Sequence, residues 1–427
     1  MYLEENSNMT NSLIDRRWNT YSIFLIIQAL YSLKAWFLWW VPGLAGDMII
    51  FAISIFYLID APFWTFKDNK RVFATVLLLI MFLQRTEGNL TSYILKFIQT
   101  FAVVPLIFLK LQYLNDLLEK FQKVITAILA ISLAFWLLHL VGINTPSTSI
   151  TYGTIDRGQG LEDQYLFDNH YVFLVNQSWM LKSFAVVPDF LRFCSIFLEP
   201  GYLAILMVFL LFINRFDINE KRNLLYIATI IATVSLAGVL IGVFAYIAHS
   251  AQYTKRGPIG ILLLLFVSFS GYYFFKDFNG GRNFINEGII ERLEVDESKG
   301  IAGNNRTTEY FDNQFDTFLK TSDLLGGIGA KKVKDIGGAN VGYKTYVMSY
   351  GIIGLILFLS YLMVIARIWK GYRSLIMFIL YVLMFIRGHG PIFWTGFMLV
   401  YVCGLAQAKY NSMTYEKNRN SSSLQRV

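Results

Sequence analysis

The residues most able to do chemistry lie in a stretch that should be inert. The segment RFCSIFLEPGYLAIL, residues 192–206, reads as the start of an apolar helix, yet Glu199 stands beside Pro200 and Arg192 lies two turns earlier. An ionised side chain at bilayer depth costs roughly 2.5–3.5 kcal/mol on insertion scales. Glu199 therefore belongs at a helix end. A structural role is available there: an acid ahead of a proline at the first helical position suits the helix dipole, tied to a backbone amide or to Arg192. A functional role is compatible with it, because a carboxylate held at the mouth of a span can orient a sugar hydroxyl or an arginine. Asp168 and His170 in LFDNHY form a second acid–base pair, but two side chains do not make a metal site. His139 and His249 fall in apolar runs and read as helix-packing residues. No closed set of His, Cys and carboxylates is present, so no cofactor and no metal are expected. The glycine-rich GGIGAKKVKDIGG, residues 326–338, invites a nucleotide reading. It lacks the G-x-x-x-x-G-K-[ST] spacing and the strand that should precede it. It reads instead as a solvated loop, or as a turn near the membrane with Lys331, Lys332 and Lys334 meeting lipid phosphate.

The elements that must position these residues are membrane helices. Of 427 residues, 55% are hydrophobic, 17% aromatic and only 15% charged, against roughly 25% charged in soluble domains. Apolar runs of spanning length predict helices at roughly 20–41, 47–63, 93–109, 124–142, 194–213, 258–275, 346–366 and 391–408. Shorter runs lie at 72–84 and 374–386. The ten-residue alternation of a β-barrel is absent. The first run is long and aromatic and has no small-residue cleavage site, which argues against a cleavable signal. Cys194 and Cys403 both fall in apolar segments and give no disulfide framework. The net charge of +8 is spread as topology signals and does not point to nucleic acid.

Charge also orders the spans. Arg16 and Arg17, the 67–71 group, Lys110 to Lys123, the 215–222 group, Lys255 with Arg256, Arg367 to Arg373 and the tail 409–427 should all be cytoplasmic. For the 214–222 and 251–257 loops to share a side, 223–250 must fold back on itself. It is therefore expected to be a helical hairpin or re-entrant pair broken at TVSLAG. The expected fold is an all-α polytopic bundle of about twelve spans, a single integral membrane domain over residues 1–427 with both termini cytoplasmic. Two large loops, 143–190 and 276–345, then share the extracytoplasmic side. Long loops in a compact bundle are usually functional.

At residues 192–201 the sequence resembles the bacterial O-antigen polymerase (Wzy) family and its O-antigen ligase-like relatives, polytopic proteins of polysaccharide assembly. Members show an arginine and then an aromatic-Glu-Pro motif opening a span after the first large outer loop; here these are Arg192 and Phe197-Leu198-Glu199-Pro200. Thr233 to Phe244, TVSLAGVLIGVF, is similar to the family's Ser-Gly-broken helix pair. The outer loop carries GNNRTTEYF, with Arg306, and LLGGIGAKK. GYKTYVMSYGIIGLILFL then resembles the family's re-entering segment with a Tyr-Gly-x-x-Gly pattern. The resemblance covers about residues 190–366, and the rest of the chain by topology only.

The resemblance implies a GT-C-like bundle in the bacterial inner membrane. It also implies a glycosyltransferase moving a glycan en bloc from undecaprenyl pyrophosphate to the sugar hydroxyl of another lipid-linked repeat unit. Glu199, Arg192 and Arg306 are the implied catalytic residues. Arginine's bidentate fork suits the pyrophosphate leaving group. Arg157 in DRGQG, Arg282, Arg387 and His389 in FIRGHGPIFW, and Lys331 are the substrate-binding candidates. Each of the loop cations also reads singly as a solvated or snorkelling charge. His389 and His170 stand behind Glu199 as bases. Membrane lipid and a chain-length regulator protein are the other implied partners. A ligase transferring glycan to a lipid A core shares this architecture. A non-catalytic lipid-linked sugar flippase or other transporter is the rival from another class, and a scaffold membrane protein is a further one; the transporter would show charged pairs near the midplane and short loops.

Overall fold

The computed structural model describes residues 2–40, 48–49, 52–53, 63–84, 93–94, 97–98, 103–156, 162–176, 180–182, 190–253, 273, 295–296, 300–301, 308–337, 342–386, 395–407 and 409. The expected spans at 47–63 and 258–275 lie largely outside these; of 93–109, residues 93–94, 97–98 and 103–109 are described, with a short helix over Val104–Phe108. Elsewhere the apolar runs are helices: α1 (Tyr2–Ser32), α2 (Asn69–Gln84), the short α3 (Val104–Phe108) and α4 (Leu111–Leu140). Then follow α5 (Pro200–Ile213), α6 (Lys221–Thr233) and α7 (Leu236–Tyr253). The chain continues through α8 (Glu309–Phe318), α9 (Ala330–Ile336), α10 (Gly342–Ile368), α11 (Tyr372–Ile386) and α12 (Thr395–Gln407). Among the described residues, α4 and α10 are long and apolar enough to cross a membrane. α4 keeps Ile131, Phe135 and Leu138 exposed along one face, an i, i+4, i+7 stripe on one side of the helix.

The chain divides into two compact units. One comprises Met1–Val124, Ile353–Tyr381 and Gly390–Val427. Its core includes Trp18, Tyr21 and Phe63, with the Trp18 indole donating to Asp116 at 2.6 Å. Gly396 of α12 meets α1 so closely that an added Cβ would lie 2.6 Å from the Leu33 side chain. Arg71, buried at the start of α2, donates through Nη1 to the carbonyls of Ile107 and Leu109 and lies 5.4 Å over the Trp369 ring.

The other unit comprises Ile125–Ile352 and Val382–His389, and it contains the candidate site. Its frame is the α5–α6–α7 trio. Asn214, after α5, donates to Asn223 in α6 at 2.8 Å, while Phe193, ahead of α5, donates its N–H to Ala232 near the end of α6. α6 is therefore antiparallel to α5. Gly238 and Gly242 of α7 face Ala204 and Val208 of α5, and farther along Tyr246 and His249 meet Phe216. α7 therefore runs back parallel to α5. A Cβ on Gly238 would sit 2.5 Å from that of Ala204, so the small-xxx-small spacing lets the two backbones approach. The reversal expected within 223–250 is thus present. Val234, at φ 46, ends α6 in the left-handed conformation and Ser235 starts the return. Each arm packs on α5 and scarcely on the other.

The all-α expectation holds for the bulk of the described residues and gives way in the loop at 143–190. There β1 (Thr148–Asp156), β2 (Glu162–Asn169) and β3 (Leu174–Val175) form an antiparallel sheet, with β4 (Leu181–Lys182) paired to β5 (Phe190–Leu191). Thr148, Ile150, Thr151 and Ile155 are β-branched and suit a pleated surface. Inward Ile150 and Phe167 alternate with outward Ser149, Thr151, Leu166 and Asp168. A further two-residue pair, β6 (Val295–Asp296) and β7 (Gly300–Ile301), lies in the second loop.

Candidate functional site

The helix expected from 194 starts only at Pro200. Residues 192–199 instead form an irregular strap, buried except at Arg192 and Glu199, which are half-buried. Its polar groups explain how a non-helical chain is tolerated there, since buried backbone groups must find partners. Arg192 N–H donates to Met180, Phe193 N–H to Ala232, and the Ser195 carbonyl accepts from Leu174 N–H, each at 3.0 Å. Ser195, at φ 53, donates its hydroxyl to Ser132 of α4 at 2.8 Å, and Ser132 donates onward to the Val172 carbonyl at 2.5 Å. The Trp136 indole of α4 donates to the Leu191 carbonyl at 3.2 Å. The strap therefore ties α4, the loop sheet and the end of α6 together.

The two charged residues of the strap occupy opposite kinds of helix terminus at the same end of the trio. Arg192 donates from Nε to the Thr233 carbonyl at 2.9 Å, in the last turn of α6. A cation there satisfies a carbonyl that the helix leaves open and complements the negative pole of the dipole. Glu199 is the N-cap of α5, with extended backbone (φ −133, ψ 136) and Pro200 in the first turn; its side chain does not bond the first-turn amides. The structural role expected of Glu199 is therefore realised as position and backbone, without a side-chain cap. A half-buried carboxylate and a half-buried guanidinium at one rim can accept a hydroxyl proton and hold a phosphate oxygen.

The glycine-rich loop and the Tyr-Gly-x-x-Gly segment interlock. α10 is broken at Gly351, whose φ 68 and ψ −175 are not helical. The break leaves the carbonyls of Met348 and Ser349 open, and they accept from Ile328 N–H at 2.8 Å and Gly329 N–H at 3.2 Å. A Cβ on Gly351 would lie 2.1 Å from the Leu325 oxygen, and one on Gly327 would lie 2.4 Å from the Ser349 oxygen. Both crossings require glycine. The clasp leads straight into α9, which buries Val333 and leaves Lys331, Lys332 and Lys334 exposed. α8 ahead of it is capped by Thr308 and buries Phe311, Phe315 and Phe318; its Asp312 pairs with Lys344 of α10 at 2.6 Å.

Of the candidates, Arg192 and Glu199 are held on one strap, and Lys331 lies on α9. Arg157, in the β1–β2 connection, Arg306, two residues before the α8 cap, Arg387, just after α11, and Arg282 and His389 all lie outside the described residues. Sequence reasoning missed a cluster beside the strap: His139, in the last turn of α4, faces His170 with ring centroids 4.8 Å apart. Their separation of 31 residues carries no periodic signal; the β2–β3 turn, tied to α4 by the Ser132–Val172 hydrogen bond, brings them together. The chain matches no protein-family model, no curated protein and no solved structure.

Proposed function

We propose that this protein is a multi-pass enzyme of the bacterial inner membrane that polymerises a surface polysaccharide such as O-antigen. The observation that carries the reading is the strap of residues 192–199, which fixes Arg192 and Glu199 at one rim of the α5–α7 trio, beside the sheet of the first large loop. The motif that resembles the polymerase family is therefore a built feature and not a stretch of ordinary span. Two helices of spanning length and the further apolar helices α5, α7, α11 and α12 are consistent with a membrane bundle.

In this reading Glu199 accepts the proton of the acceptor sugar hydroxyl. The hydroxyl oxygen forms a bond to the donor's anomeric carbon while the bond from that carbon to the phosphate oxygen breaks. The diphosphate leaves with its undecaprenyl carrier. Arg192 and Arg306 stabilise the charge gathering on the diphosphate, with Arg157, Arg282, Arg387, His389 and Lys331 available along the two loops. Both termini are cytoplasmic and the loops extracytoplasmic. The test is the glycan pattern of cells lacking the gene. A single repeat unit on the lipid core is the polymerase result. Absence of repeat units from the core, with long chains accumulating on the carrier, identifies a ligase. Repeat units trapped on the cytoplasmic leaflet identify a flippase.

A further inference from the structure

We propose that the His139–His170 pair is a pH-sensitive catch that seats the first-loop sheet on the end of α4 and releases it in acid. The pair is held by geometry on both sides. His139 belongs to the last turn of α4, and His170 sits in a tight turn between β2 and β3, where its N–H donates to the Phe173 carbonyl at 3.0 Å. The Asn169 side chain accepts from Tyr171 N–H at 2.8 Å, and Tyr171 takes φ 65. The turn is anchored to α4 by the Ser132 hydroxyl at the Val172 carbonyl. Between these anchors the His170 ring stacks on Phe173, at 4.6 Å and 5° between planes, and meets His139 at 4.8 Å and 58°. His139 also touches the Phe173 ring at 5.6 Å.

Stacked on Phe173 and beside His139, the His170 ring favours its neutral form. His170 Nδ1 is hydrogen-bonded to the Thr145 hydroxyl at 2.7 Å, which fixes the ring. The titratable groups that act on His170 are His139 of α4 and Asp168 of β2; β1 contributes the neutral Ser149, bonded to Asp168, and the 141–147 segment the neutral Thr145. Burial, and then the neighbouring His139, hold His170 below its ordinary value of 6.5, with Thr145 and Asp168 opposing.

The seated state binds fewer protons than the released state, so seating is complete above about pH 6.5 and weakens as pH falls through that value. The catch needs only the ring packing and would operate whether or not the protein transfers glycans.

The test is hydrogen–deuterium exchange of the full-length protein in nanodiscs at pH 7.5 and 5.5, corrected for intrinsic exchange. Peptides over 166–176 are expected to lose protection at pH 5.5 relative to pH 7.5. His170→Phe and His139→Phe keep the ring packing without the second charge and should each reduce that loss. Asp168→Asn, which removes the one opposing charge, should enlarge it. Equal wild-type protection at both pH values overturns the proposal. So does an undiminished acid loss in both Phe variants when either is protected like wild type at pH 7.5. Should both Phe variants be unprotected at pH 7.5, the Asp168→Asn comparison decides alone, and no enlargement overturns it.

Discussion

Replacing Gly351 by alanine should open the clasp between α10 and the 325–329 loop. Two costs follow from the geometry. At φ 68 and ψ −175 the residue lies in a region that is essentially glycine's alone, and a side chain there costs on the order of 1–3 kcal/mol. The new Cβ would also stand 2.1 Å from the Leu325 oxygen and 2.6 Å from the Gly326 nitrogen, both of them backbone atoms. They cannot rotate away, so the loop must lift. Lifting it removes the Ile328–Met348 and Gly329–Ser349 hydrogen bonds, each worth about 1 kcal/mol net. The sum is roughly 3–5 kcal/mol. Two controls separate the causes. Gly326 has open space and an ordinary φ, so its alanine variant should change stability by less than about 0.5 kcal/mol. Gly142 has open space but φ 83, so its alanine variant should show only the backbone cost of about 1 kcal/mol. The assay is the unfolding midpoint of the purified protein in one detergent, with exchange protection read over 325–350. The reasoning is refuted if Gly351→Ala is no more destabilising than Gly142→Ala, or if the 325–329 loop keeps its protection.

Other perturbations probe the same frame. Gly238→Leu should force α7 from α5 at the Ala204 contact, at a cost of about 1–3 kcal/mol, lowering the unfolding midpoint more than Leu at exposed Leu240's neighbour Val239. Arg71→Ala should orphan the Ile107 and Leu109 carbonyls and cost roughly 2–6 kcal/mol, at about 1–3 for each, seen as a lowered midpoint with early exchange at 104–110. Ser132→Ala should leave the Val172 carbonyl and the Ser195 hydroxyl without their partner, at roughly 2–6 kcal/mol on the same count, with protection lost over 172–176 and 193–196 while the 221–233 helix keeps its own.

Much of the frame was legible because it is written in local terms. The turn at Val234–Ser235 was marked by TVSLAG and by the need for two basic loops to share a side. Glu199–Pro200 carried the signature of a helix start, although the apolar run hid the fact that 194–199 is not helical. Hydropathy alone cannot separate a buried strap from a buried helix, since both are apolar. The β1–β2 hairpin was also readable in principle from Thr148, Ile150 and Thr151. An all-α bundle leaves no place for strands, so the alternation there carries no weight until the fold is seen. Contacts between distant segments were not legible. Nothing in the spacing of Gly327 and Gly351 says that each needs the other's backbone, and nothing in His139 announces His170. Those depend on how the chain returns, which a single sequence records only as permissive glycines and turn residues.

The most direct measurement is polymerisation by the purified full-length protein in proteoliposomes supplied with a single lipid-linked repeat unit. The expected result is a ladder of longer lipid-linked glycans from the wild-type protein and none from an equally folded Glu199→Gln variant. A wild-type protein that yields no ladder, or a Glu199→Gln variant that builds one at the wild-type rate, would contradict the assignment of the carboxylate at the head of α5.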